Sequence, residues 1–279
     1  MKRTKTKRNL IIFTVMVMLS GWIGIFADTL ITGQEQGESL GMTIWLALPL
    51  LTAVLLRIFA GDGWSDAGLL PKFRGNLKWY ASSFFIYPIV TLAVVLIGFA
   101  IGWIDVSVFN TTNFFKGFAG GLLINFVINI FEQSVWMGYL TSKLLKLKVG
   151  DIWLYVIVGT IWGFWHAPYY LVFLPTEEIK RVMPMDRWFL VFWAVLVITC
   201  WAVMFIEIFR LTKSIWPLVV VHMVEDALFE SLIFGGHIEI THGREILISP
   251  WIGVIPALFY LLIGLAIRRY RLKSECNKS

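Results

Sequence analysis

Apolar residues gather along this chain in long runs separated by short polar stretches. Runs of about 18–25 apolar residues predict helices that cross a hydrocarbon core of roughly 30 Å. They fall near 10–27, 41–60, 79–103, 118–142, 152–173, 188–210, 214–234 and 248–267. The pattern predicts an all-α polytopic membrane protein of about eight transmembrane helices. The first run follows Lys2, Arg3, Lys5, Lys7 and Arg8, as a signal peptide would. It is longer than a usual signal core, and Ile25-Phe26-Ala27 is a poor cleavage site, so it is read as a retained helix. No internal repeat or low-complexity linker interrupts the pattern. Residues 1–279 read as one integral membrane domain, with 118–234 as its core.

Composition agrees with the pattern. Of 279 residues 58% are hydrophobic and 15% charged, and mean hydropathy is +0.76. A soluble domain carries about 25% charged residues. The net charge of +6 raises the question of nucleic acid, and the placement of the charges answers it. With the N-terminus in the cytoplasm, 18 of the 24 Lys and Arg fall in inner segments and five in outer ones. Arg57 sits near the inner end of the second helix. This is the positive-inside bias, and it predicts both termini in the cytoplasm. The expected partners are the lipid bilayer and a membrane-embedded or membrane-associated peptide or protein, not nucleic acid. Cys200 and Cys276 offer no disulfide framework and no metal-binding spacing.

Ionisable residues within spans are costly and mark function or pairing. Glu207 lies one turn from Arg210 and reads as an ion pair. Glu230 lies near an outer end and reads as reaching the interface. His237 and His242, with Glu239 and Glu245, read as a solvated outer loop, with an external metal site as the alternative. Four groups resist such readings. At 1.5 Å per residue, Glu132, His222, Asp226 and His166 lie roughly 15, 13, 18 and 21 Å from the cytoplasmic ends of their helices. Three helices distant in sequence thus bring polar groups to one layer. His222 and Asp226 share a face at i,i+4, Asn125, Asn129 and Glu132 form a stripe, and Gly159 and Gly163 permit close packing. The expected arrangement is a buried polar pocket.

A carboxylate beside imidazoles can hold and deprotonate a water. The same groups can hold a divalent metal such as zinc through His166, His222 and Asp226, leaving Glu132 as base. Interhelical hydrogen bonding and a proton relay remain open on these residues alone. Hydrolysis of a peptide bond within the membrane fits the set best.

Three segments carry a resemblance: Glu132-Gln133-Ser134-Val135-Trp136-Met137, then Trp162-Gly163-Phe164-Trp165-His166, then His222-Met223-Val224-Glu225-Asp226. In order and spacing the chain resembles the CAAX-protease and bacteriocin-processing (ABI) family of intramembrane endopeptidases over roughly 75–235. That family has Glu-Glu-x-x-x-Arg, Phe-x-x-x-His and His-x-x-x-Asn/Asp on separate helices. The resemblance implies that Glu132 activates the water and His166 helps hold it. It assigns His222 and Asp226 to the oxyanion or, in a metalloprotease view, to a metal. Gln133 and Met137 depart from the motif by removing a carboxylate–guanidinium pair, and Trp162 replaces the phenylalanine. Losing both partners together leaves no unpaired charge behind. The family's bacterial members process secreted peptides or confer bacteriocin immunity, and the expected location of this chain is a bacterial plasma membrane. Its eukaryotic members trim prenylated tails. A catalytically inactive immunity or scaffold protein is the alternative that Gln133 and Met137 motivate. A proton-coupled transporter is the second, although the inverted repeats expected of one are missing.

Overall fold

The computed structural model describes residues 2–31, 33–34 and 39–277. Its elements in chain order are α1 (Lys2–Thr29), α2 (Leu40–Ile58), α3 (Leu77–Ala100), β1 (Ile104–Asp105), α4 (Thr111–Gln133) and α5 (Ser142–Lys146). They continue with α6 (Asp151–Trp165), α7 (Thr176–Val182), α8 (Arg187–Thr212), α9 (Trp216–Phe229), β2 (Glu239–Ile240), α10 (Glu245–Ile248) and α11 (Val254–Cys276). The chain is an all-α polytopic membrane protein. Six stretches among the described residues are long and apolar enough to cross a bilayer, and they coincide with the first six predicted runs. The last two predicted runs are helical over most of their length: the seventh holds Glu225, Asp226 and Glu230, and the helix of the eighth starts only at Val254 and continues past the run through Arg268, Arg269 and Arg271.

Close contacts divide the chain into two compact units. The first takes residues 1–69, 131–176 and 185–202. Here α1 and α2 pack through Gly24 and Gly41, whose backbones meet with no room for a side chain. Asp28 Oδ1 accepts the Gly41 N–H at 2.7 Å and so ties the two helices at their connecting end. The small residues of α6 meet α8 in the same way. A Cβ on Gly159 would lie 2.5 Å from the Cα of Thr199, and one on Gly163 2.7 Å from the Cα of Val195. Gly159→Val is therefore expected to destabilise the protein by about 1–3 kcal/mol. Thermal unfolding in detergent would test this, and an unchanged midpoint would refute it.

Beneath these helices lies a network of charges. Asp66 receives Arg57 Nη1 at 2.8 Å and Lys143 Nζ at 2.7 Å. Tyr139 donates to Asp62 Oδ2 at 2.6 Å. Lys143 belongs to the basic residues counted in inner segments and Arg57 to the end of the second helix, yet both side chains are buried, Arg57 at 3% and Lys143 at 0% exposure. The 61–78 loop folds back to meet them because their charges need a carboxylate when removed from water. Burial pushes the Asp66 carboxyl up, but the bonds from Lys143 and Arg57 outweigh it and hold the group below its ordinary 3.8. Because the folded value is lowered, the stabilisation is complete above the unfolded value and is lost as pH falls through the lower folded one. Stability measured between about pH 5 and 2 should fall with pH in the wild type and fall less in Asp66→Asn. Parallel curves would refute the assignment.

The second unit takes residues 70–130, 177–184 and 203–279. In it α4 packs on α9, with Gly121 against Ala227 and the Ser231 hydroxyl bonded to the Phe114 carbonyl at 2.7 Å. Strands β1 and β2 pair antiparallel, Ile104 opposite Ile240. Glu207 does meet Arg210, at 3.3 Å, but its shorter partner is Arg271 Nε at 2.6 Å. The local pair read from the sequence is present, and Arg271 adds a second partner that ties α8 to α11.

Candidate active site

Glu132 and His166 belong to the first unit. Glu132 lies in the last turn of α4, two residues before Ser134–Thr141, which is π-helical. Two indole N–H groups converge on one oxygen of its half-buried carboxylate. Trp136 Nε1 donates to Oε2 at 3.1 Å and Trp162 Nε1 donates to the same atom at 3.3 Å. Trp136 reaches it from i+4 on its own helix, and Trp162 comes from α6. The two rings stack with centroids 5.8 Å apart.

His166 caps α6, where Pro168 ends the α-helical pattern. Its Nδ1 lies 2.9 Å from the Trp162 carbonyl. A carbonyl only accepts, so Nδ1 carries the proton of this bond and Nε2 is the other ring nitrogen. Trp165 meets the ring edge-on and Tyr170 stacks on it. The backbone past His166 again turns π-helical, over Tyr169–Phe173.

The third motif belongs to the second unit. His222, Glu225 and Asp226 each offer a ligand-type atom, and these atoms all lie within 4.8 Å of one another. His222 Nε2 is 3.7 Å from Glu225 Oε2 and 3.9 Å from Asp226 Oδ1, and Phe205 stands edge-on to the imidazole. The asparagine stripe of α4 faces this group as the spacing predicted. Asn129 donates to Asp226 Oδ2 at 2.7 Å and Asn125 donates to Glu230 Oε2 at 2.9 Å. Glu230 is thus tied inside the unit rather than reaching an interface. A π-helical run, Glu230–Phe234, follows this motif too. Such turns recur at functional sites because the widened turn releases carbonyls and shifts side-chain phase.

Residues 113–228 match the family model described as type II CAAX prenyl endopeptidase Rce1-like. This segment is Rce1-like. The match bears out the resemblance read from the three motifs, and all four predicted site residues fall inside it. No curated protein matches the chain.

Within the Rce1-like segment, sequence reasoning missed three contributors. Glu225 joins His222 and Asp226 as a ligand-spaced group, whereas His166 belongs to the other unit. The indoles of Trp136 and Trp162 are the others. The i,i+4 spacing of Glu132 and Trp136 was a usable signal for one of them; nothing in the spacing pointed to the second. His237 and His242 do not gather. His237 is buried edge-on between Phe109 and Phe114, so the reading of a solvated loop is corrected for it, while His242 is exposed.

Proposed function

We propose that the chain is an intramembrane endopeptidase of the CAAX-protease kind whose hydrolytic water is activated by Glu132. The observation that carries this reading is the Glu132 carboxylate held in a fixed orientation within the Rce1-like segment. Glu132 takes a proton from water as the hydroxide oxygen bonds to the scissile carbonyl carbon. His166 accepts a hydrogen bond from that water at Nε2 and orients it. His222, by its place in the third motif, donates to the oxyanion of the tetrahedral intermediate, with Asp226 steadying the imidazole. Collapse breaks the carbon–nitrogen bond, and Glu132 returns its proton to the leaving amine.

His222, Glu225 and Asp226 have the donor types and mutual distances that suit a divalent cation. They are the residues that would hold one, and bound there it would supply Lewis-acid polarisation of the scissile carbonyl. The substrate class that fits is a membrane-embedded or lipid-anchored peptide, reached from the bilayer.

The test compares new protein N-termini in membranes carrying the wild type or Glu132→Ala at matched abundance. Cleavages present only with the wild type support the proposal and name the substrates. Identical sets of N-termini from the two membranes would sink it and favour the non-catalytic immunity or scaffold reading that Gln133 and Met137 motivate.

A further inference from the structure

A general base works only if its basic oxygen points at the water, and a glutamate has three torsions through which to miss. In the motif that this chain resembles, a second carboxylate and an arginine one turn on accompany the base. Here those positions are Gln133 and Met137, both fully buried. Met137 brings no charge, and its sulfur accepts the Thr141 hydroxyl at 3.5 Å. The charged support for the motif is gone, yet the carboxylate of Glu132 is held, and by neutral donors.

We propose that Trp162 and Trp136 are positioning residues for Glu132, taking over the orienting task that the missing ionic pair leaves vacant. The inference rests on the reading of Glu132 as the base. Both indole N–H groups bond the same oxygen, Oε2, one from within the helix and one from α6. Two donors arriving from different directions stop rotation about the last torsion, so Oε1 is presented in a single direction. The donors themselves are immobile. Trp162 is 1% and Trp136 0% exposed. Trp136 stacks on Trp162 and meets Trp165 edge-on at 5.2 Å. Trp165 in turn stacks on Trp45 at 4.3 Å, and its carbonyl receives the Trp45 indole N–H at 2.9 Å. The clamp is thus backed by a column of aromatic rings running to α2. A phenylalanine at 162 would keep an aromatic ring in the wall, remove the N–H donor and leave the space of the indole's second ring unfilled.

The expected behaviour follows from what is removed. Trp162→Phe leaves substrate binding alone and frees the carboxylate to rotate. With a substrate identified by the N-terminus comparison, kcat should fall roughly tenfold or more, as for one hydrogen bond to a charged group, with KM within about twofold. A loss confined to KM, or an unchanged kcat, would overturn the role.

A second measurement is independent of activity. In the full chain, labelled with ¹⁵N-tryptophan in lipid nanodiscs, Trp162→Phe deletes one indole signal and thereby identifies it. That signal should move in Glu132→Gln, where an amide replaces the charged acceptor. A signal that stays in place would overturn the contact. Trp136→Phe, read in both ways, serves if the first variant fails to fold. If the wild type cleaves no protein at all, the endopeptidase reading falls, whereas the clamp stands or falls with the indole signals alone.

Discussion

Replacing Glu132 by glutamine should lower the rate of peptide-bond cleavage about 10²–10⁴-fold, the range that a positioned general base contributes. Glutamine is the informative substitution. Its amide oxygen still accepts from the indoles of Trp136 and Trp162, so the local packing has no reason to change. It cannot take a proton from water. The loss should appear in the single-turnover rate of a purified substrate, with the thermal midpoint within a degree or two of the wild type. Full activity in a folded Glu132→Gln protein would remove Glu132 as the base and with it the mechanism. Loss of activity together with loss of fold would be settled by Glu132→Asp. That variant keeps a proton acceptor but shortens its reach, and should retain measurable turnover.

The second large effect concerns the fold. Glu207→Leu should destabilise the protein by about 3–5 kcal/mol, because it strips the partner from a buried guanidinium. Glu207 is fully buried and Arg271 is 3% exposed, with Nε 2.6 Å from the carboxylate. Glu275, at 3.0 Å from Arg271, is mostly exposed and screened, and compensates little. The double variant Glu207→Leu/Arg271→Leu should recover much of the loss, since removing both charges leaves neither uncompensated. Equilibrium unfolding of the single and double variants decides the matter. Equal destabilisation by both would show that packing, not charge, is what position 207 supplies.

How far each feature was legible depends on whether its cause is local. The helices follow from runs of apolar residues, a property of each segment by itself, and six of the eight predicted runs satisfy length and composition in the structure. The facing of Asn125 and Asn129 toward α9 was also legible, since i,i+4 spacing fixes a face whatever lies opposite. Partners across the fold were not. From sequence position alone, Lys143 and Arg271 counted with the expected inner segments and Arg57 lay near the expected inner end of its helix. Their burial depends on Asp66 and Glu207, which approach from other segments. The indole of Trp162 is the same kind of miss. Aromatic character at 162 is visible in the chain, but the direction of a single N–H group depends on how α6 is rotated against the Glu132 helix.

The π-helical stretch after Glu132 has a consequence for how this protein tolerates change. A widened turn accommodates one residue more than the α-helical pitch, so everything beyond it is rotated by about 100° from a straight continuation. That rotation carries Tyr139 and Lys143 onto Asp62 and Asp66, and presents the Gly138 carbonyl to Arg57 Nη2 at 2.5 Å. The stretch works as a spacer of set length between the chemistry and its charged footing. Losing Ser134 or Val135 from it would put base and footing out of phase, even though every group that makes these contacts was still present in the chain.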